Sequence, residues 1–267
     1  MGVTASLNRG FRLAKGAYIA RMDSDDVSLP NRFERQLEYM DTHKDVIVCG
    51  TFAEEIGDKN GKRCRHIPEQ KEYQCGVLFG NVYGLIHPTA FFRVSVLREN
   101  GIQYDENIPT AQDYAMWAEC CRYGEIANVE EILFQYRVHQ KQISTAKREL
   151  QQRCTMYVQK KILNHLFPDI SDQTVRVHFD YCTSCRVTSD MRRWFQTIAE
   201  ANDVARYVDR EALLAFIGQF LCNKALVSAN QTGNPIALCE LLMRSAKAER
   251  KVVLQSIAAR LSKKLRH

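Results

Sequence analysis

The spacing of apolar residues divides the chain into two regions of different character. Over residues 1–140, segments with helical spacing alternate with short, continuous apolar runs that are typical of strands in an α/β domain. From about Ile143 onward, the periodic segments are all helical. The pattern therefore predicts an α/β domain over residues 1–144 and a helical domain over residues 145–267.

The first region has a definite predicted series of elements. The apolar run from Tyr18 to Met22 stops at a cluster of carboxylates, as a buried strand that ends at a turn would. Ser28 and Ser95 are suited to cap the helices that follow them, and Pro30 to occupy a first helical turn. Predicted helices span residues 3–15, 28–42, 69–79, 95–101 and 111–123; predicted extended segments span 18–22, 46–50, 52–56, 87–93 and 126–136, with a hairpin turn at 58–61 and an interruption at Glu130-Glu131.

Two of the predicted helices are amphipathic. In the first, Leu7 and Phe11 lie on one side of the helix. In the second, Phe33, Leu37 and Met40 recur at i, i+4 and i+7. Because such an apolar stripe normally faces the core, we expect these side chains to be buried.

The second region consists of helical segments. They span residues 143–165, 171–182, 189–207, 210–228 and 235–265. The basic end of the chain, Ala259 to His267, is typical of a solvated helix end, with a peripheral contact to anionic lipid as the alternative. No run approaches the length of a membrane span.

Composition narrows the classes of function. The chain has 267 residues, is 45% hydrophobic and 25% charged, and carries a formal charge of +6, which are ordinary values for a globular protein. No sustained run of Lys and Arg interleaved with aromatic residues marks a nucleic-acid groove, so we expect no nucleic-acid partner. Ten scattered cysteines and an N-terminus without a secretory signal predict reduced thiols and a cytoplasmic location.

One cysteine pair has a spacing that metal sites use. Cys182 and Cys185 form a Cys-x-x-Cys, with His178 four residues upstream of the first. A structural zinc site needs a second pair of ligands, which this lone pair lacks. We therefore expect no metal at this position.

The candidate chemistry is concentrated in the stretch Asp23-Ser24-Asp25-Asp26. An EF-hand calcium loop would continue with a ligand and then a glycine where Val27 and Ser28 stand. A phosphatase of the Asp-x-Asp nucleophile type would require a hydroxyl residue in place of Val27. From spacing alone, two interpretations stay open: carboxylates that hold Mg²⁺ or Mn²⁺ against a diphosphate, and a solvated acidic turn at a helix start.

Seven separated motifs, in a fixed order along the chain, give information on function beyond the acidic turn. They are Thr4–Gly10, Ala14–Asp26, Leu29–Arg32, His87–Thr89, Ala111–Trp117, Tyr136–His139 and Gln142–Ser144. Together they resemble the family 2 glycosyltransferases, of the GT-A type, that build bacterial surface polysaccharides. The resemblance covers about residues 1–145. It implies an α/β fold, namely an incomplete GT-A (Rossmann-like) mixed sheet, followed by an all-helical C-terminal region.

The resemblance also implies how a donor would be bound. Asp23 and Asp25 match the Asp-x-Asp motif, which binds the divalent cation, Mg²⁺ or Mn²⁺, that bridges the diphosphate of a nucleotide-sugar. Asp25 is the better candidate for direct coordination. Arg21 and His139 would contact the bound donor. For His139, an ordinary surface histidine after a strand is the alternative interpretation.

The catalytic base implied by the resemblance is Asp113. It would take the proton of an acceptor hydroxyl as that hydroxyl attacks the anomeric carbon, with inversion. The family has Glu before this Asp, whereas this chain has Gln112, which leaves the role of the first carboxylate in doubt. The alternative for Asp113 is an N-cap of the helix that carries Met116 and Trp117.

The resemblance implies a set of substrates and a difference from the family at the N-terminal end of the domain. The partners would be a nucleotide-sugar and a glycan or lipid-linked acceptor, reached in the cytoplasm or at the inner face of the plasma membrane. Family members begin with strand–helix units of roughly 80 residues that grip the base and ribose, and Met1 lies after that point. We therefore expect an exposed sheet edge that can pair with another chain. The alternative function is an inactive glycosyltransferase remnant or an interaction protein.

Overall fold

The chain forms two compact units. The computed structural model describes residues 2–82, 84–139 and 148–232, with side chains to residue 228. The units are Met1–Val158 and Gln159–His267, whereas the sequence pattern changes character at residue 144. Residues Gln142–Ser144, the predicted helix 235–265 and the basic end of the chain lie outside the described residues.

The first unit is an α/β domain, as the alternating pattern predicted. Its helices are α1 (Val3–Leu13), α2 (Arg32–Thr42), α3 (Gln70–Leu78), α4 (Val94–Glu99) and α5 (Gln112–Cys120). Its strands are β1 (Tyr18–Ala20), β2 (Val27–Ser28), β3 (Val46–Gly57), β4 (Gly61–Arg63), β5 (Phe91–Arg93) and β6 (Glu125–Val138).

The strands form one mixed sheet in the order β1-β5-β3-β6-β2, with β4 paired to β3. The two long strands, β3 and β6, run parallel, and the other pairs are antiparallel. β3 is buried over Val46–Ala53, which explains its continuous apolar sequence. β1, which leads into the acidic turn, lies at one edge of the sheet, as expected.

Two predicted irregularities are confirmed. Thr51 pairs with Val129 and Phe52 with Ile132, so Glu130 and Glu131 are passed over where the sequence predicted an interruption of β6. The β3–β4 hairpin turns after Gly57, whose φ of +96° is a conformation that favours glycine.

The predicted buried face of α2 is wrong, and that of α1 is correct only in part. Phe33 is 52% exposed and Leu37 is 41% exposed, while Arg32 and Gln36 are fully buried beside Met40, which is the only correct member of the predicted stripe. In α1 the buried residues are polar as well, namely Thr4 and Asn8, and Leu7 and Phe11 are half-buried.

Each polar face is buried where its side chains bind backbone groups of neighbouring segments. In α1, the Thr4 hydroxyl donates to the carbonyl of Ile108 (3.1 Å), and the Asn8 amide both donates to and accepts from the backbone of Tyr104 (2.9 Å each). These bonds fix the segment that leads into α5. The helix therefore serves as a clamp on a loop.

Arg32 and Gln36 of α2 join three strands. Arg32 Nη2 donates to the carbonyl of Arg21 at the end of β1 (2.8 Å), and Arg32 Nε donates to Gln36 Oε1 (2.9 Å). Gln36 Nε2 in turn donates to the carbonyls of Cys49 in β3 (3.1 Å) and Thr89 (2.9 Å). The Arg32 guanidinium also lies 4.9 Å from the ring centroid of Phe134 in β6.

Three local predictions are wrong. Ser28 does not cap α2, because Val27 and Ser28 pair with β6 as strand β2 and the N-cap of α2 is Asn31. Ser95 lies inside α4 instead of capping it. The predicted strand 87–93 is a 3₁₀ turn over His87–Thr89 followed by the short β5.

The second unit is helical, as predicted. Helix α6 (Arg148–Leu163) contains the division between the units and is followed by α7 (Asp172–Thr183), α8 (Ser189–Ala205) and α9 (Arg210–Thr232). Ser171 and Thr188 cap α7 and α8 by accepting from backbone N–H groups three residues on.

Helix α9 passes a simple test of length and apolar composition for a membrane span over Arg210–Ser228, contrary to the expectation that no run would. Of that stretch, 39% is buried in the structure, and core helices pass the same test. Its buried positions include Leu213, Ile217 and Cys222, which face the interior of the second unit.

The Cys-x-x-Cys segment packs around a histidine. Trp194 Nε1 donates to His178 Nδ1 (3.0 Å), so the opposite nitrogen of the fully buried ring carries the hydrogen and faces Cys182 Sγ at 3.3 Å. Burial raises the pKa of the Cys182 thiol. Lys224 Nζ donates to the carbonyls of Cys182 (2.7 Å) and Ser184 (2.5 Å).

Replacing Gln36 with leucine tests the polar clamp of α2. Because Gln36→Leu leaves Arg32 Nε and two buried carbonyls without their partner, we expect a loss of roughly 3 kcal/mol in the free energy of unfolding. Urea denaturation measures it. The matched control is Leu37→Ala on the exposed face of the same helix, which should cost about 0.5 kcal/mol or less. Equal losses for both variants would contradict a structural role of the clamp.

Candidate active site

The predicted site residues line one cavity of the first unit. Arg21, Asp23, Asp25, Asp113 and His139 all border a cavity of about 390 Å³. Three elements bring them together: the turn after β1, the first turn of α5 and the residues after β6. The cavity therefore lies beyond the carboxyl end of β1 and of β6, where α/β folds commonly bind ligands.

Arg21 is fixed on both sides of its backbone and grips Asp23. Its N–H donates to the carbonyl of Ala90 (2.8 Å), and its own carbonyl accepts from Arg32 (2.8 Å). Its guanidinium makes a bidentate pair with Asp23, with Nη2 at 2.6 Å from Oδ1 and Nη1 at 3.1 Å from Oδ2. Both carboxylate oxygens of Asp23 are therefore engaged by Arg21.

Asp25 instead faces the end of β6. Its Oδ2 lies 3.3 Å from His139 Nε2, and both side chains are 44% exposed. Arg137 Nε donates to the backbone carbonyl of Asp25 (2.8 Å). The sequence interval between Asp25 and His139 is large, and the pairing of β2 with β6 closes it.

Asp26 is a residue that the sequence analysis did not single out. It is 8% exposed, and its Oδ1 accepts from the backbone N–H of Arg137 (2.7 Å). Its Oδ2 is buried without a hydrogen-bond partner among the described residues. Burial, with further repulsion from Asp23 and Asp25, raises the pKa of Asp26 to about 6.

Asp113 is the second residue of α5. The N-cap of α5 is Ala111, in the left-handed region with a φ of 58°, so the interpretation of Asp113 as the N-cap is wrong. Its Oδ1 accepts from the N–H of Tyr114 (2.8 Å). Burial raises the pKa of Asp113, against the opposing effect of these backbone N–H groups and of Arg21. A raised pKa makes this carboxylate a stronger base.

His87 also borders the cavity and contacts two aromatic side chains. Its Nε2 is 2.8 Å from the Tyr104 hydroxyl, and its ring meets Trp117 edge-on at 5.8 Å. Burial, with the nearby charge of Arg21, lowers the pKa of His87 well below its ordinary value, so the ring is neutral.

The donor set fits a cation of the Mg²⁺ or Mn²⁺ type. Asp25 and His139 present an oxygen and a nitrogen 3.3 Å apart, and Asp26 Oδ2 is unpartnered. Such cations commonly take one or two protein ligands and complete their shell with phosphate and water. Within the described parts of the chain, no group of three or more His, Cys, Asp or Glu could hold a metal alone. A diphosphate would have to supply the remaining oxygens.

Comparison with known sequences confirms the family resemblance. Residues 1–101 match the model of Glycosyl transferase family 2. An uncharacterised glycosyltransferase of Haemophilus influenzae is 31% identical over 182 residues, covering 60% of this chain and 55% of the relative. Amylovoran biosynthesis glycosyltransferase AmsE of Erwinia amylovora is 27% identical over 139 residues, 51% of each. The chain spans about half the length of these relatives.

Comparison with solved structures confirms the fold. The crystal structure of S. aureus TarS 1–349 in complex with UDP-GlcNAc matches with a TM-score of 0.52 at 14% identity, covering 88% of this chain and 69% of the TarS 1–349 chain. At that identity the match speaks for the fold, which is the predicted GT-A type. Asp113 and His139 lie outside the residues matched by the family model.

The Asp26 carboxyl should make stability depend on pH. Its folded pKa of about 6 exceeds the usual value near 3.9, so its contribution to stability is complete at low pH and is lost as pH rises through 6. Asp26→Asn keeps the acceptor for Arg137 without this titration. Relative to that variant, we expect wild type to lose about 3 kcal/mol between pH 4 and pH 7.5, by urea denaturation in EDTA. A difference that does not change with pH would contradict the buried carboxylate.

Proposed function

We propose that this chain, whose residues 1–101 match glycosyl transferase family 2, is the catalytic part of an inverting, metal-dependent glycosyltransferase. It would move a sugar from a nucleotide-sugar to a hydroxyl of a glycan or lipid-linked acceptor. The observation that carries the proposal is the meeting of the acidic turn, Asp113 and His139 around one cavity. This transfer needs one carboxylate that binds the cation and another that accepts the proton of the acceptor hydroxyl.

The acidic turn would hold the donor's diphosphate. Asp25 and His139 face each other and would share the divalent cation, which when bound neutralises the charge of the departing diphosphate. Arg21, now engaged by Asp23, offers a second positive charge at the same end of the cavity. Arg137 holds the turn against the end of β6 and so keeps Asp25 and His139 within reach of each other.

Asp113 would act as the base. Asp113 borders the cavity, and its Oδ1 accepts from the N–H of Tyr114. Burial raises the pKa of Asp113, while the backbone N–H of Tyr114 and the charge of Arg21 oppose that rise, so the carboxylate is a stronger base than an exposed one. Attack by the deprotonating hydroxyl opposite the diphosphate would invert the anomeric carbon.

The comparisons suggest substrates to test. TarS was crystallised with UDP-GlcNAc, and AmsE is named for the biosynthesis of amylovoran. We therefore propose a uridine nucleotide-sugar as donor and a surface polysaccharide or its lipid-linked precursor as product. Release of UDP from UDP-GlcNAc and related donors in Mn²⁺ is the direct assay, and a chain that neither binds nor turns over any of them would refute the proposal.

Asp113→Asn tests the base. The amide cannot take the proton, so turnover should fall by roughly 10²- to 10⁴-fold while the affinity for UDP with Mn²⁺ stays within about twofold. The matched control is Glu119→Gln, at the other end of α5, where the carboxylate pairs with Arg122 at the surface (3.1 Å). Its turnover should equal that of wild type. Retained turnover in Asp113→Asn would remove Asp113 from the role.

Asp25→Asn tests the cation site. Loss of the carboxylate charge should weaken binding of Mn²⁺ in the presence of UDP by roughly 10- to 100-fold, measured by the electron paramagnetic resonance signal of free Mn²⁺. Asp41→Asn is the control, because that exposed carboxylate accepts from the Tyr18 hydroxyl and does not border the cavity. If both variants bind Mn²⁺ equally well, Asp25 is not a ligand.

A further inference from the structure

Three residues of the cavity wall bury a polar atom that has no hydrogen-bond partner among the described residues. They are Arg21 (Nε), Asp26 (Oδ2) and Thr110 (Oγ1). The three side chains are only 8%, 8% and 7% exposed. Because a buried polar group without a partner is costly, each such group calls for an explanation. Here three of them border a single cavity.

Thr110 stands apart from the other two. Arg21 and Asp26 belong to the acidic turn and its approach, whereas Thr110 lies three residues before Asp113 on the segment that leads into α5. The clamp from α1 holds this segment through Ile108. Ala111, in its left-handed conformation, then turns the chain into the helix. The Thr110 hydroxyl is therefore held at the Asp113 end of the cavity by backbone that is fixed on both sides.

We propose that the Thr110 hydroxyl binds a hydroxyl group of the transferred sugar and contributes to the choice of donor. This inference rests on the proposed function. In that function, the sugar is bonded to the diphosphate at the acidic turn and is attacked beside Asp113, so it must lie between the two. Thr110 is at the second of these points and supplies both a hydrogen-bond donor and an acceptor.

The burial of Thr110 favours a ligand held inside the cavity as its partner. At 7% exposure, the Thr110 side chain forms part of the cavity wall. A hydroxyl of a ligand enclosed in the cavity would complete its hydrogen bonding, and an analogue without that hydroxyl would leave it unpaired.

The inference predicts that Thr110 has little structural role, which a matched pair of variants tests. Thr110→Val removes an unpartnered hydroxyl at nearly constant volume, so the thermal midpoint should stay unchanged or rise. Thr89→Val removes a hydroxyl that donates to the carbonyl of Ile86 (2.8 Å) and accepts from the N–H of Thr51 (3.1 Å). Its thermal midpoint should fall.

The decisive measurement separates the sugar from the nucleotide. Affinities for UDP, UDP-glucose and UDP-GlcNAc are measured by calorimetry with Mn²⁺ for wild type, Thr110→Val and Thr110→Ser. We expect Thr110→Val to bind UDP as wild type does and to bind the preferred UDP-sugar about 3- to 10-fold more weakly. Thr110→Ser keeps the hydroxyl and should restore most of that affinity.

Two results would overturn the assignment while leaving the proposed function intact. In one, Thr110→Val weakens UDP and UDP-sugars equally, which would place the hydroxyl at the nucleotide or in the structure. In the other, it changes neither, which would leave the sugar without a contact to Thr110. Failure of the wild-type chain to bind UDP or either UDP-sugar is a different result, and it would refute the proposed function together with this inference.

Discussion

The burial of Arg32 and Gln36 is the constraint on which the rest of the first unit depends. Through these two side chains, α2 binds the carbonyl that ends β1 and carbonyls of β3 and of the turn before β5. β1 is only three residues long and lies at the sheet edge, so its own ladder offers little to hold it. The carbonyl bonded by Arg32 belongs to Arg21, the residue that grips Asp23. The geometry of the acidic turn therefore derives from a helix whose buried face is polar.

That polar face explains where sequence reasoning succeeded and where it failed. Strand and helix periods depend on local backbone geometry, so most of the described elements of both units were predictable, including the interruption of β6, whereas the short strand β2 and the extent of β5 were not. The choice of buried face assumes that apolar side chains go inside. In α1 and α2, buried backbone carbonyls take that face instead: Asn8 and Gln36 donate hydrogen bonds to them, which apolar side chains cannot do.

Some residues of the candidate site were predictable from the sequence, and others are identified only by the structure. Asp23, Asp25 and Asp113 stand in short motifs that an isolated sequence displays, and the fold brings them to one cavity. Asp26 belongs to the acidic stretch, but what sets it and Thr110 apart is a buried oxygen without a hydrogen-bond partner among the described residues. An unpartnered buried oxygen is a property of the folded chain, set by pairings such as that between Asp26 and the backbone of Arg137, 111 residues away. Spacing in the sequence cannot reveal it.

Charge links these features. Three carboxylates within four residues repel one another, and each has a different environment. Arg21 pairs with Asp23, His139 faces Asp25, and burial raises the pKa of Asp26. Two of these charges are only partly compensated, since Asp25 stays half exposed and one oxygen of Asp26 has no hydrogen-bond partner in the part of the chain that the structure describes. A turn meant only to start a helix would gain nothing from carrying this repulsion. A divalent cation with a diphosphate, as proposed, would relieve it, so the cost of building the turn is repaid when the donor binds.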